Sequence, residues 1–298
     1  MFRRIAYFLG LNLILLLTFS LVINLLPVPR GSLMSLLILY SIFGFGGAFI
    51  SLLFSKKMAK WSMKVEIIDP KNAQGREQWL LNKVHEIARK ANLPKAPEVG
   101  IFPGREVNAF ATGPSKSNSL VAVSDGLLSA MNDDEVEGVL AHEVAHIKNG
   151  DMVTMVLLQG VINTLVMFAA RILADLVYSA ISRDNRGGFF FRLMLYQVFA
   201  MALGVLGMVV TGSFSRKREY RADHGGARLV GNDKMVSALQ KLKAVYPPPQ
   251  VMAQSEKKRE AIASLQISGR VRNSTLAQLL STHPPLDQRI SVLKQRSL

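Results

Sequence analysis

The chain of 298 residues contains no cysteine. That excludes a disulfide framework, a thiol nucleophile and any cysteine-liganded metal. Histidine is scarce as well: His85, His142, His146, His224 and His283 complete the set. A histidine-built metal site must draw on those five. No G-x-x-x-x-G-K-[ST] stretch occurs, so nothing points to nucleotide dependence. Internal repeats are absent. Acidic residues are in deficit, 21 against 36 Lys and Arg, for a net charge of +15. Such a balance suits nucleic acid or anionic lipid. The basic residues flank apolar runs instead of alternating with aromatics in a stripe. That favours lipid headgroups as the partner and argues against nucleic acid.

What the chain has in quantity is apolar sequence, 49% of residues, with mean hydropathy +0.23. Residues 5–26 carry no charge and follow Arg3 and Arg4. At about 1.5 Å per residue they cross a hydrocarbon core of about 30 Å. No small-x-small cleavage site precedes Pro27, so a retained span is expected here in preference to a signal peptide. Residues 31–55 form a second uncharged run, in which Gly44, Gly46 and Gly47 offer close helix packing. Lys56, Lys57 and Lys60 follow at once. Positive charge at both outer ends of this pair reads as a transmembrane hairpin, 1–55, with both ends in the cytoplasm. Residues 152–170 form a third run, a span or a partly membrane-embedded hairpin arm, prolonged through Arg171 and Asp175, which are spaced to pair on one helix face. Residues 193–215 form a fourth, closed by Arg216, Lys217 and Arg218.

Between and after these runs the composition is that of soluble protein, in two parts, 56–151 and 216–298. Residues 74–92 read as an amphipathic helix with Trp79, Leu80, Val84, Ile87 and Ala88 on one face. His85 reads as a solvated residue of that helix. Val99-Gly100-Ile101, Val107 to Ala111 and Leu120 to Val123 are β-like, the last two joined by the turn-rich stretch from Gly113 to Asn118. A small sheet is expected, whose edge could take a peptide as one more strand. Pro247-Pro248-Pro249 marks a linker or stiff turn, and Glu256 to Glu260 a solvated charged face.

The chemistry-bearing stretch is His142-Glu143-Val144-Ala145-His146. Two histidines four apart on a helix lie about 6 Å apart along the axis and about 40° apart around it. Both imidazoles can reach one metal ion, with the glutamate placed as general base, which is the H-E-x-x-H arrangement of zinc peptidases. The flanks supply the helix. Asn132 to Glu135 is spaced as a capping box, Val136, Val139, Leu140, Val144 and Ile147 recur at helical spacing, and Asn149-Gly150 reads as the stop. A catalytic zinc needs a third protein ligand on the same side of the membrane. Two runs separate 151 from 216, so the segment after 216 qualifies. There, Glu219 and His224 are both candidates. Asp223, one turn after Glu219, could fix a ligand histidine through its free N–H, and that pairing favours Glu219.

Three stretches carry a resemblance. Ala141 to His146, then Ser215-Arg216-Lys217-Arg218-Glu219-Tyr220-Arg221-Ala222-Asp223, then Ser281-Thr282-His283-Pro284-Pro285 with Arg289 are similar, in that order, to the HtpX membrane metalloproteases, relatives of the CAAX prenyl proteases. The resemblance implies a mainly α, polytopic membrane protein with a gluzincin-like H-E-x-x-H metalloprotease domain carrying a small β-sheet. It implies one Zn2+ per chain on His142, His146 and Glu219, with Glu143 as base. It also implies Asp223 and Arg289 as support, His283 near the scissile carbonyl, and Asn108, Ala109 and Phe110 along the substrate backbone. The expected location is the bacterial inner membrane, multi-pass, with the site facing the cytoplasm. Expected partners are the bilayer and polypeptides, above all misfolded or damaged membrane proteins in a stress-linked quality-control role, with self-cleavage or a homo-oligomer compatible. Competing readings are a non-catalytic membrane chaperone or assembly factor, whose site would not need Glu143. A metal transporter would carry its ligands inside the spans. A prenyl-protein protease would need a larger multi-span barrel.

Overall fold

A computed structural model describes residues 32–181, 188–246 and 281–295. The first apolar run, the 183–187 part of the polar loop and the 247–280 segment lie outside the described residues.

Among the described residues, three helices are long and apolar enough to cross a membrane: α1 (Leu33–Met63), α5 (Asp151–Ile181) and α6 (Phe189–Val230). α5 packs against both α1 and α6, with small residues at the close approaches. A Cβ on Gly44 would collide with Thr164 and the Gly160 carbonyl of α5, so the backbones touch there. Gly46 and Gly47 meet nothing within 4 Å and take no part in this contact. Arg171 and Asp175 pair on α5 at 2.9 Å, and Arg192 of α6 joins them at 2.6 Å. Both α1 and α6 outrun their uncharged stretches. α6 passes from residue 215 to 216 without a break, so the fourth apolar run and the motif that follows it lie on one continuous helix of 42 residues.

The soluble part is built on a four-stranded sheet of order β1-β2-β4-β3. Its strands are β1 (Glu66–Ile67), β2 (Glu98–Phe102), β3 (Ala109–Ser115) and β4 (Asn118–Ser124). β2 and β4 are parallel and the other pairs antiparallel. The two-residue β1 has too little sequence to read as a strand by itself. Side chains alternate across the sheet. Val99, Ala109, Val121 and Val123 enter the main core, while Phe102, Phe110, Leu120 and Ala122 form a second cluster with Met63, the last residue of α1, and Val65 just beyond it.

The main core takes Leu80, Leu81, Val84 and Ile87 from α2 (Gly75–Lys90) and Leu127 from α3 (Asp125–Ala130). It takes Val136, Val139, Leu140, Val144 and Ile147 from α4 (Asp133–Asn149). Met235, Leu239 and Leu242 of α7 (Asn232–Val245) and Ile290 and Leu293 of α8 (Leu286–Gln295) close it. The capping box forms: Glu135 N donates to Asn132 Oδ1 at 2.9 Å and Asn132 N to Glu135 Oε2 at 3.0 Å. Gly150 ends α4 at φ 70°, a left-handed backbone that glycine adopts without strain. The chain turns there and starts α5 at the next residue.

Candidate metal centre

The site lies where α4 crosses α6, at the end of the three-helix bundle that carries the sheet. Close approach is set by Gly226, where a Cβ would stand 3.1 Å from the His142 amide nitrogen and 3.0 Å from Met235 Sδ. The neighbouring Gly225 faces the Cβ of Ala145 in the same way. Without side chains at these two positions, α6 lies against the face of α4 that bears the histidines.

That contact brings Glu219 to His142 and His146. Each of the three offers a ligand atom, and these atoms lie within 4.8 Å of one another. The Nε2 atoms are 3.1 Å apart; Glu219 Oε1 is 3.3 Å from His146 Nε2 and Oε2 is 3.5 Å from His142 Nε2. A tetrahedral zinc with bonds of about 2.0–2.1 Å holds its ligand atoms about 3.3–3.4 Å apart, so the spacing fits such an ion. The donor set of two imidazoles and a carboxylate suits it as well. Glu219 is 2% exposed, and its Oε2 makes no well-directed hydrogen bond among the described residues, although His283 Nδ1 lies 2.9 Å away. A buried carboxylate oxygen left this way is a natural ligand atom. His224, the rival third ligand, does not belong to this group.

Each histidine is held from behind. His142 Nδ1 meets Asp223 Oδ1 at 2.9 Å, and His146 Nδ1 meets Asp151 Oδ2 at 2.7 Å. A carboxylate on Nδ1 keeps the proton there and leaves Nε2 as the lone-pair atom facing the cluster. Both carboxylates are themselves held. Arg289, fully buried, grips Asp223 through Nε at 2.8 Å and Nη2 at 2.6 Å. Arg221 bonds Asp151, with Arg218 3.7 Å away. Arg289 Nη1 also lies 3.5 Å from Glu219 Oε2.

The electrostatics favour a cation. Burial pulls the His146 pKa down, but Asp151 and Glu219 outweigh it and push it up to about 10. His142 behaves alike: burial lowers its pKa, and Asp223 and Glu219 raise it further, to a net upward shift. Glu219 lies beyond the uncharged run of α6. Burial alone would raise its carboxyl, but His142, His146 and His283 hold it well below the ordinary carboxylate range. The pocket is therefore negative in character and draws positive charge to the two imidazoles, which a bound ion would replace.

The other expected residues fall around this centre. Glu143 is buried on α4, and its carboxylate takes no hydrogen bond or ion pair among the described residues. His283 stands against Glu219, with Ser281 held by Arg216 of α6 through its carbonyl at 2.7 Å. His85 is half-buried on α2, in an open hollow with Arg89 and Lys95, apart from the cluster.

Ala109 and Phe110 open β3, an outer strand of the sheet, and Asn108 directly precedes it. Ser124 N donates to Asn108 O at 2.9 Å across the ladder. Hydrogen-bonded pairs alternate in an antiparallel ladder, so residues 108, 110 and 112 point their backbone groups at β4. Ala109 and Ala111 point theirs away, along the free edge. The Asn108 side chain is buried, and its Oδ1 has no hydrogen-bond partner among the described residues.

Asp151 escaped the sequence reading. It sits at the head of an apolar run, where an acid reads as an ordinary helix-start residue. The available signal was its place directly after the glycine stop, five residues beyond His146.

Comparison with known proteins agrees with this architecture. The family model of peptidase family M48 matches residues 74–297. A protein named Protease HtpX from Shewanella piezotolerans is 46% identical over 297 residues, covering 98% of this chain and 99% of its own. Protease HtpX from Pasteurella multocida is 45% identical over 293 residues, covering 98% of both. The crystal structure of S. mikatae Ste24p superposes with a TM-score of 0.65 at 18% identity. It covers 97% of this chain, which spans 64% of that protein's length, and it shows a shared fold. A matched family model over most of the chain, near-complete alignment to HtpX proteases and three membrane-length helices lead to one assignment: the chain belongs to peptidase family M48, as a multi-pass membrane metalloprotease of the HtpX type.

Proposed function

We propose that the chain is a zinc-dependent endopeptidase whose site faces the cytoplasm and which cleaves misfolded or damaged membrane proteins in stress-linked quality control. The observation that carries the reading is the triangle of His142, His146 and Glu219, with buried Glu143 beside it on the same helix. Zinc bound there supplies Lewis acidity that polarises a peptide carbonyl and draws the pKa of a water towards neutrality.

The chain's own residues supply the rest. Asp223 and Asp151 hold the Nδ1 protons of His142 and His146, so that both Nε2 atoms stay aimed at the ion. Arg289 and Arg221 keep those two carboxylates charged and in place. Glu143 takes the proton from the attacking water and delivers it to the leaving amine. His283, beside Glu219, is placed to act as the donor to the developing oxyanion. The free edge of β3 takes the substrate backbone as a further strand through Ala109 and Ala111.

A cytoplasmic orientation is supported by charge. The soluble part leaves α1 through Lys56, Lys57 and Lys60, and α6 returns to it through Arg216, Lys217 and Arg218. The lack of a nucleotide-binding motif fits a protease that cuts accessible segments without pulling on them. The test is proteolysis of casein by the detergent-solubilised protein, metal-free, with zinc restored, and beside Glu143→Gln. Zinc-dependent cleavage that is lost in the zinc-loaded variant is expected; turnover by that variant would refute the role of Glu143.

A further inference from the structure

We infer that the outer face of the last two turns of α1, bearing Lys57, Met58 and Trp61, together with Lys64 at its C-terminal cap, seats in the anionic headgroup layer and sets the height of the sheet above the bilayer. Trp61 is 83% exposed, and Met58 and Phe54 are more than half exposed. Phe54, Met58 and Trp61 continue, at helical spacing, the apolar stripe that Ile50 begins within the span. The patch is therefore an extension of the lipid-facing surface beyond the hydrocarbon core. The uncharged part of α1, residues 33–55, is about 34 Å long at about 1.5 Å per residue, enough for a core of about 30 Å. Trp61 stands about 9 Å further along, at headgroup level, where tryptophan is favoured. Lys57 precedes it by one helical turn and Lys64 follows in the left-handed cap just past the helix end; both are exposed, and neither makes an ion pair among the described residues. Their charge complements anionic phospholipid, and their stems can reach past the ring.

The opposite face of the same turns is fastened to the sheet. Lys56 bonds Glu98 of β2 at 2.8 Å and Asn118, beside the β3–β4 turn, at 2.8 Å. Lys60 joins Glu98, and Met63 packs with Phe102 and Phe110. Lipid seated on one face thus holds the sheet, and with it the free edge of β3, close to the membrane surface. The substrate class that follows is polypeptide segments emerging from the bilayer within reach of the headgroups. This last step rests on the protease reading; the lipid contact does not.

The chain has two tryptophans, so Trp79→Phe leaves Trp61 as the sole reporter. The full chain would be placed in nanodiscs of phosphatidylcholine, with or without phosphatidylglycerol. Trp61 emission should be blue-shifted and quenched severalfold more by lipids brominated high on the acyl chain than by lipids brominated near its end. Phosphatidylglycerol should enhance that quenching, and Lys57→Gln with Lys64→Gln should abolish the enhancement. Quenching by aqueous iodide alone would place Trp61 in water, and quenching by neither would place it under protein; either result overturns the inference. In the second arm, Trp61→Gln should raise KM severalfold for a lipid-tethered peptide and leave the same peptide in solution unchanged. Equal effects on both peptides, or none on either, would overturn the height-setting role. Failure of the unaltered protein to cleave at all would count against the protease reading and leave the fluorescence result standing.

Discussion

Asp151 Oδ2 lies 2.7 Å from His146 Nδ1, the counterpart of Asp223 Oδ1 at 2.9 Å from His142 Nδ1. Each histidine of the cluster is thus backed by its own carboxylate, one from the head of α5 and one from α6. Removing the charge on Asp151 should loosen the imidazole without emptying the core. Asp151→Asn is expected to weaken zinc binding by about 10–100-fold, in the range for partners behind a ligand. Chelator competition measures it, with circular dichroism as the folding control. Unchanged affinity would remove Asp151 from the site.

Zinc binding should expel protons. The folded-state pKa of His146 is raised to about 10, above its ordinary value. The sign follows directly: the stability contributed by protonated His146 is fully present below the ordinary histidine pKa and is lost as pH rises through about 10. Zinc needs the neutral ring, so near neutral pH it must displace that proton, and affinity should climb with pH up to about 10. Calorimetry in buffers of different protonation enthalpy reads the proton count. Heats independent of the buffer would contradict the prediction.

The crossing of α4 and α6 should not tolerate bulk. Gly226→Val places a branched side chain where even a Cβ is 3.1 Å from the His142 backbone. Overpacking of this kind costs about 1–3 kcal/mol. Because the helices part at the ligands, the loss of zinc affinity should exceed what the change in stability accounts for. Thermal unfolding with and without zinc separates the two: the zinc-dependent gain in Tm should shrink strongly. A full gain would mean that the close contact does not set the ligand geometry.

The free edge of β3 can be probed with proline. Ala111 points its N–H away from β4, so Ala111→Pro should leave the ladder intact, as proline is accepted on edge strands. A peptide substrate would lose one backbone hydrogen bond, worth about 0.5–1.5 kcal/mol, and meet the ring. The expected result is a drop of about tenfold in kcat/KM with stability preserved. Phe110→Pro, which removes a ladder bond, should instead destabilise the sheet. If Ala111→Pro cleaved peptides normally, substrate would have to bind elsewhere.

Much was readable from local pattern alone. Periodicity marked the helix that carries His142, Glu143 and His146, the capping box at Asn132 and Glu135 marked its start, and uncharged length marked the three long apolar helices among the described residues. These features are encoded within a few turns of chain, where 3.6-residue spacing, cap chemistry and hydropathy decide the outcome. Other relationships were decided only by the tertiary structure. Glu219 and not His224 joins the two histidines because α6 runs unbroken out of the membrane and presents that face to α4 at Gly225 and Gly226. Arg289 reaches Asp223 across 66 residues of sequence, and His283 meets Glu219 through a loop held by Arg216. β1 exists only as a partner for β2, and β3 is an edge because β4 pairs with β2 on its other side. Local sequence specifies which face of a helix is apolar; which two faces meet, and which acid ends behind which histidine, depends on how closely packed helices can approach.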